Sequence, residues 1–194
     1  RLSNNSLINE LNSIIESPST YGSSNAGNGK TVILDYFQLN IAKRPHVGHL
    51  RSAVIGDALK RLFLSQGYKV VSDTHVGDWG TQFGILLYAF KKLNSSIQKS
   101  IEENPFQELE VLYNVYTQPE KDIKLFKAYG YGEPDSPESI RERGKEEFAK
   151  LERGDPENRK IWEWMVKISK EKLKESADKL GLLEFEEHRG ESEY

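Results

Sequence analysis

The sequence has no cysteine, which excludes disulfides, thiolate zinc sites and a cysteine nucleophile and suits a reducing compartment such as the cytoplasm. No stretch approaches the roughly 20 consecutive apolar residues of a membrane span. No charged-then-apolar leader opens the chain. Histidine is scarce, 4 in 194 residues, yet two of them, His46 and His49, flank Gly48 inside NIAKRPHVGHLRS. What is abundant is ordinary for a globular protein: 37% of the 194 residues are hydrophobic and 29% charged, enough for a buried core and one or two domains. Lys and Arg outnumber Asp and Glu by 10 to 6 up to residue 96 and are outnumbered 17 to 24 after it. The basic half suits a phosphate-bearing ligand, and the acidic half argues against broad nucleic-acid contact there.

Periodicity divides the chain into three. In residues 1–30, Leu7, Leu11, Ile14 and Ile15 at helical spacing predict a short helix, and YGSSNAGNGK predicts a linker. In residues 31–96, the β-branched and aromatic TVILDYF (Thr31 to Phe37) predicts a buried strand. Leu50, Ala53, Val54, Leu59, Leu62 and Phe63 mark the face of a helix that Gly67 ends. YKVVSD predicts a second strand, Gly77 to Gly80 a turn, and Phe83, Leu86, Leu87, Phe90 and Leu93 a second helical face. Strand, helix, strand and helix of these lengths make a βαβ unit, hence an α/β fold with a parallel sheet. Residues 97–194 are expected to be helical and strand-free. Ser136-Pro137-Glu138 and Asp155-Pro156-Glu157 are helix starts, and Trp162, Val166, Leu173, Ala177 and Leu180 share one side of the last helix.

In a parallel α/β sheet, ligands bind beyond the carboxyl ends of the strands, where a loop enters a helix. Here that loop is Asn40 to Gly48. The helix behind it offers free backbone N–H groups and the positive end of its dipole to a phosphate. Two imidazoles add donors as charge grows on a phosphate that is losing pyrophosphate, and Gly48 lets a nucleotide approach the backbone. A metal site from His46, His49 and either His75 or His188 lacks the supporting cysteines or an H-E-x-x-H helix. GNGKT (Gly27 to Thr31) is no phosphate loop, because Ser24 stands where the first glycine belongs and the segment precedes its strand.

NIAKRPHVGHLRSAVIGDALKRLFLSQGYKV followed by HVGDWGTQFG resembles arginyl-tRNA synthetase, a class I aminoacyl-tRNA synthetase. HVGH matches the first class I signature, HVGDWGTQFG is more specific to the family, and GESEY near the end resembles a stretch of its inserted domain. The resemblance implies the first half of a Rossmann-like catalytic domain over 31–96, a mainly helical connective insertion over 97–194, and the end of an N-terminal domain in 1–30. It implies ATP-dependent activation of arginine with Mg²⁺, transfer of arginine to tRNA(Arg), and a remaining catalytic half supplied in cis or in trans. His46, His49 and Lys43 would act on the phosphates, with Gly48 under the adenine. Asn40 would bind arginine, with Asp35, Gln38 and Gln82 as further candidates.

Two positions depart from the family pattern. Gln38 stands where a small serine is usual, which bears on the amino-acid pocket, and Arg44-Pro45 precedes His46 where proline and an apolar residue are usual. Two other readings use the same histidines: a nucleotidyltransferase of the wider HxGH superfamily, and a synthetase paralogue that binds without catalysis. Elsewhere, Gly56 is read as a close helix–sheet contact, Trp79 as core, Arg51 as a structural partner of Asp57 or a neighbour in preference to a phosphate contact, His188 as surface, and at least one of Trp162 and Trp164 as core.

Overall fold

The computed structural model describes residues 2–41, 43, 45–118, 121–131 and 135–194. Arg44 lies outside them. The first helix, α1 (Asn4–Glu16), is capped by Ser3 and buries none of its residues. Strands β1 (Thr31–Asp35) and β2 (Lys69–Asp73) pair in parallel, with Thr31 opposite Lys69 and Asp35 opposite Asp73. Between them runs α2 (Val47–Ser65). It ends where Gly67 takes φ +76° and the Tyr68 N–H donates to the Phe63 carbonyl at 3.1 Å, the left-handed closure that glycine permits.

β1 is shorter and more open than TVILDYF suggests. It stops at Asp35, and Ile33 is 74% exposed. The Tyr36 N–H still donates to the Asp73 carbonyl at 3.2 Å. Phe37 then takes φ +60° and buries its ring. A left-handed backbone costs a side-chain-bearing residue about 1–2 kcal/mol, here offset by burying an aromatic ring.

The expected face of α2 is also corrected. Leu50, Val54, Leu59 and Leu62 are exposed, and the buried stripe is Ala53, Gly56, Asp57 and Lys60. The reason lies at the far end of the chain. After the last helix, residues 183–190 return beside β2: the Glu187 N–H donates to the Ser72 carbonyl at 3.0 Å and the Val76 N–H to the Arg189 carbonyl at 2.8 Å. This segment bridges Asp73 to Glu187 and Val76 to Gly190 in parallel, extending the sheet within a region whose pattern reads as wholly helical. Asp57 accepts the Leu183 N–H at 2.7 Å, and Lys60 donates to Ser72 Oγ at 2.9 Å and Glu186 Oε1 at 2.7 Å. Asp57 and Lys60 therefore turn inward because the returning chain satisfies them. Asp57 pairs with Arg61 at 2.7 Å, not with Arg51. A Cβ on Gly56 would lie 2.1 Å from the Tyr36 ring, so this glycine does mark a close approach.

The helical part comprises α3 (Thr81–Lys92), α4 (Ser95–Glu103), α5 (Pro105–Thr117), α6 (Ile123–Ala128), α7 (Pro137–Glu152) and α8 (Pro156–Leu180). The α3 face is as expected: Phe83, Leu86, Leu87, Phe90 and Leu93 are all buried. α3 and α7 cross through glycines; a Cβ on Gly84 would fall 1.8 Å from the Gly144 carbonyl oxygen. Ser136 Oγ accepts the Ser139 N–H at 3.2 Å and Asp155 Oδ1 the Asn158 N–H at 2.9 Å, so both start signals cap their helices. Val166, Leu173 and Ala177 of α8 are buried, whereas Leu180 is exposed. Lys91 of α3 donates to Glu147 of α7 at 2.9 Å and to Asn158 of α8 at 3.0 Å. Burial pushes the Glu147 carboxyl up, but hydrogen bonds from Lys150, Lys91 and Asn158 outweigh it and hold its pKa at about 2.

Candidate functional site

The chain leaves β1 through Phe37 and crosses to the turn after β2. Asn40 bridges Gly77 in parallel, with the Ile41 N–H donating to the Gly77 carbonyl at 3.2 Å. A Cβ at Gly77 would stand 2.2 Å from Asn40 Oδ1, so the glycine makes room for the asparagine side chain. The loop then enters α2 with His46 as its N-cap, in extended conformation at φ −125° and ψ 176°.

Histidine is an unusual cap, and the two imidazoles act together. His46 Nδ1 accepts the Gly48 N–H at 3.1 Å, and His49 Nδ1 accepts the His46 N–H at 3.1 Å. The rings lie 3.9 Å apart between centroids. A ring nitrogen that accepts a hydrogen bond carries no proton, so both rings take the tautomer with hydrogen on Nε2. Each then presents an Nε2–H donor beside the positive end of α2. Burial, and next the charge on His46, lowers the His49 pKa below its ordinary 6.5. A Cβ on Gly48 would stand 3.0 Å from the His46 ring, so glycine lets that ring fold back onto the helix end.

Two cavities meet at this loop. One, of about 240 Å³, is lined by Asn40, Lys43, His46, His49, Glu110, Tyr113 and Asn114. The other, also about 240 Å³, is lined among others by Asn40, Lys43, Trp79, Gln82, Tyr113 and Glu191. Asn40, Lys43 and Tyr113 belong to both, so the histidines open onto one side of a shared wall and Gln82 and Glu191 onto the other. The Lys43 ammonium lies 3.5 Å from Gln82 Oε1 and 5.6 Å from the Tyr113 ring centre, a cation–aromatic contact.

The remaining candidates sit apart. Gln38 Nε2 donates to Asp35 Oδ2 at 2.7 Å, and neither residue lines the shared cavities. Asp35 instead borders a third hollow with Gly48, Arg51 and Ser52. His75 packs on Tyr194, and His188 Nδ1 is 3.1 Å from Thr74 Oγ1. Among the described residues, no three His, Asp or Glu side chains converge as metal ligands. Trp79 packs edge-on against Phe148 and Trp162, and Trp162 Nε1 donates to the Asp78 carbonyl at 2.8 Å. Sequence reasoning missed Tyr113 and Glu191. Tyr113 carries no local signal on α5. Glu191 does carry one, as the first acid of GESEY, but without the fold nothing joins it to residues more than 100 positions earlier.

A family model described as class I (R) tRNA synthetases, catalytic domain, matches residues 10–194. An arginine–tRNA ligase of Chloroflexus aggregans is 40% identical over 184 residues, which is 95% of this chain and 29% of that protein. One from Oenococcus oeni is 37% identical over 174 residues, 90% of this chain and 28% of its own. The crystal structure of arginyl-tRNA synthetase from Plasmodium falciparum shares the fold with a TM-score of 0.51 and 27% identity over 90% of this chain and 26% of that one. A Campylobacter jejuni structure described as a putative arginyl-tRNA synthetase aligns with all of this chain and 38% of its own, at a TM-score of 0.51; its 20% identity speaks for the fold alone. The chain thus spans under a third of the curated relatives it matches. With the βαβ unit, the HVGH loop at the helix start and a match over nearly its whole length, this chain belongs to the class I tRNA synthetase family of the arginine type, within the catalytic domain.

Proposed function

We propose that this chain is part of the catalytic domain of an arginine–tRNA ligase, binding ATP at the histidine loop and arginine in the adjoining cavity. The observation that carries the reading is the shared wall: Asn40, Lys43 and Tyr113 line both the cavity holding His46 and His49 and the cavity holding Gln82 and Glu191. A reaction joining two substrates needs their reacting atoms at such a junction.

In the proposed reaction an arginine carboxylate oxygen attacks the α-phosphorus of ATP and pyrophosphate leaves. The 2′- or 3′-hydroxyl of the terminal adenosine of tRNA(Arg) then attacks the carbonyl carbon, and AMP leaves. His46 and His49 donate their Nε2–H groups to the phosphate oxygens as negative charge builds, and Lys43 adds its ammonium at the wall. Gly48 lies against the adenine. Asn40 and Gln82 supply polar contacts to arginine, and Glu191 is the carboxylate in that cavity for its guanidinium. Asp35 and Gln38 bond to each other and enter the arginine reading through the turn they shape before Asn40. ATP arrives as its Mg²⁺ complex, with the ion on the phosphates, as is usual for magnesium. Such a reaction serves ribosomes and so belongs in the cytoplasm.

The proposed organisation keeps residues 1–30 as the end of a preceding domain, 31–96 as half of the Rossmann-like core, and 97–194 as the connective insertion whose last residues rejoin the sheet. The remaining catalytic half would cover the free edge of β1 at Ile33 and the apolar row Leu50, Val54 and Leu62 of α2, all exposed here. The test is arginine-dependent ATP–pyrophosphate exchange by the complete gene product, with and without tRNA(Arg). Exchange lost in the His46→Ala/His49→Ala variant is expected; a folded protein that binds ATP but never exchanges with arginine overturns the reading.

A further inference from the structure

Asp78 is 1% exposed, an acid nearly sealed inside the protein. Both its carboxylate oxygens point at the returning chain: Oδ1 accepts the Ser192 N–H at 2.9 Å and Oδ2 accepts the Ser192 hydroxyl at 2.7 Å. A Cβ on Gly190 would fall 2.1 Å from Asp78 Oδ2, so the backbone is drawn down onto the carboxylate. Residues 190 and 192 are thus both held against Asp78, and between them stands Glu191. The backbone of Glu191 is fixed from the other side, its N–H donating to the Val76 carbonyl at 3.0 Å. Glu191 itself lines the cavity with Asn40 and Gln82. Glu193 Oε1 accepts the Gly190 N–H at 3.1 Å and closes the same short turn.

We infer that Asp78 is a positioning residue for recognition of the cationic substrate, acting through the 190–192 turn to aim Glu191 into the arginine cavity. The inference rests on the proposed reading of Glu191 and assigns Asp78 no contact with substrate. Other anchors hold the same segment at a distance from the cavity. Asp57 accepts the Leu183 N–H and Asp73 the Arg189 N–H. Neither touches the turn that carries Glu191. A merely structural Asp78 would behave as they do, lowering stability with no bias between substrates. A positioning Asp78 acts on arginine and leaves ATP alone, because His46 and His49 bond to each other and to the start of α2 and not to this turn.

The test measures KM for arginine, KM for ATP and kcat in the complete gene product for Asp78→Asn, Glu191→Gln, the double variant and Asp57→Asn. Glu191→Gln and Asp78→Asn should each raise the arginine KM at least about 10-fold, the scale of a misplaced charged hydrogen bond, with the ATP KM within about twofold. The double variant should be no worse than Glu191→Gln alone, since a residue that works through another adds nothing once that other is gone. Asp57→Asn should lower the melting temperature without changing the ratio of the two KM values. A silent Glu191→Gln removes the recognition role and the inference with it. An active Glu191 whose effect simply adds to that of Asp78, or an Asp78→Asn that raises both KM values together, overturns the positioning role alone. Should Asp78→Asn fail to fold, Ser192→Ala must still raise the arginine KM selectively, and an unchanged value overturns the inference.

Discussion

His49 Nδ1 accepts the backbone N–H of His46 while His46 Nδ1 accepts the N–H of Gly48, so one hydrogen-bond pattern both caps α2 and sets both tautomers. Capping and the proposed phosphate donation use opposite nitrogens of the same rings, so the two separate by mutation. His46→Asn keeps a good cap and loses the donor. Its stability should stay within about 0.5 kcal/mol of the parent, against a loss of about 1 kcal/mol for His46→Ala, while both lose about 100-fold or more in arginine-dependent exchange. Denaturant titration beside the exchange assay checks this. A His46→Asn variant of full activity would remove the donor role.

The same geometry fixes a pH dependence. His49 has a pKa below its ordinary 6.5 in the folded chain, so folding favours its neutral form. That contribution is fully present above about 6.5 and fades as pH falls through the lower folded-state value. Protonating Nδ1 also removes the bond to the His46 N–H. Exchange should therefore fall on the acidic side beginning below pH 6.5, and His49→Gln should lack that limb while keeping a low residual rate. A His49→Gln profile parallel to the parent's would contradict the assignment.

A second acid limb belongs to stability. Burial pushes the Glu186 carboxyl up, but hydrogen bonds from Lys60 and Ser72 prevail and hold its pKa at about 2, beside Glu147 at the same value. Carboxylates with depressed pKa values stabilise the fold above their ordinary 4.5, and that stability drains away between about 4.5 and about 2. Glu186→Gln leaves the Lys60 ammonium, whose side chain is 3% exposed, without its counter-charge. The carboxylate side is 41% exposed, so water softens the loss to about 2 kcal/mol instead of the larger figure for a sealed pair. Lys60→Met removes the buried charge itself and should cost less than Glu186→Gln. Chemical denaturation at pH 7 and pH 3.5 would reverse that ranking if the pair contributed only through packing.

The crossing of α3 and α7 admits no methyl group. Gly84→Ala sets a Cβ against the Gly144 carbonyl oxygen and should destabilise by about 2 kcal/mol or more despite the better helix propensity of alanine. Thermal unfolding decides between the two effects, and a stabilised variant would show that the helices can part.

These residues show where the sequence is legible. The α3 face could be read because its partners are helices with matching apolar faces, and period alone marks the burial of Phe83 to Leu93. The Ser136 and Asp155 caps are local, set within three residues. The place of the HVGH loop between strand and helix was legible, and His46 does stand at the start of α2. α2 misled the same method, because what buries Asp57 and Lys60 is a polar segment more than 120 residues downstream. Of the face that apolar periodicity marked, Ala53 is buried, but Leu50, Val54, Leu59 and Leu62 are open in this chain. The strand-like course of residues 183–190 escaped because it is a short, charged stretch defined by its neighbour and not by its own propensity. Asp35 and Gln38 satisfy one another, a pairing that their spacing does not reveal.

The tie between Asp78 and Ser192 spans 114 positions, and this has a consequence for the order in which the molecule is made. Loops that long close slowly, after local helices and hairpin-scale contacts have formed. During synthesis the ribosome exposes the histidine loop, Gln82 and Tyr113 well before Glu191. A nascent chain halted between residues 114 and 190 would hold the histidine loop and Tyr113 but lack Glu191, the acid of the adjoining cavity. On the proposed reading, the residues that would meet the nucleotide and the acid that would meet arginine then emerge at different chain lengths, the first well ahead of the second.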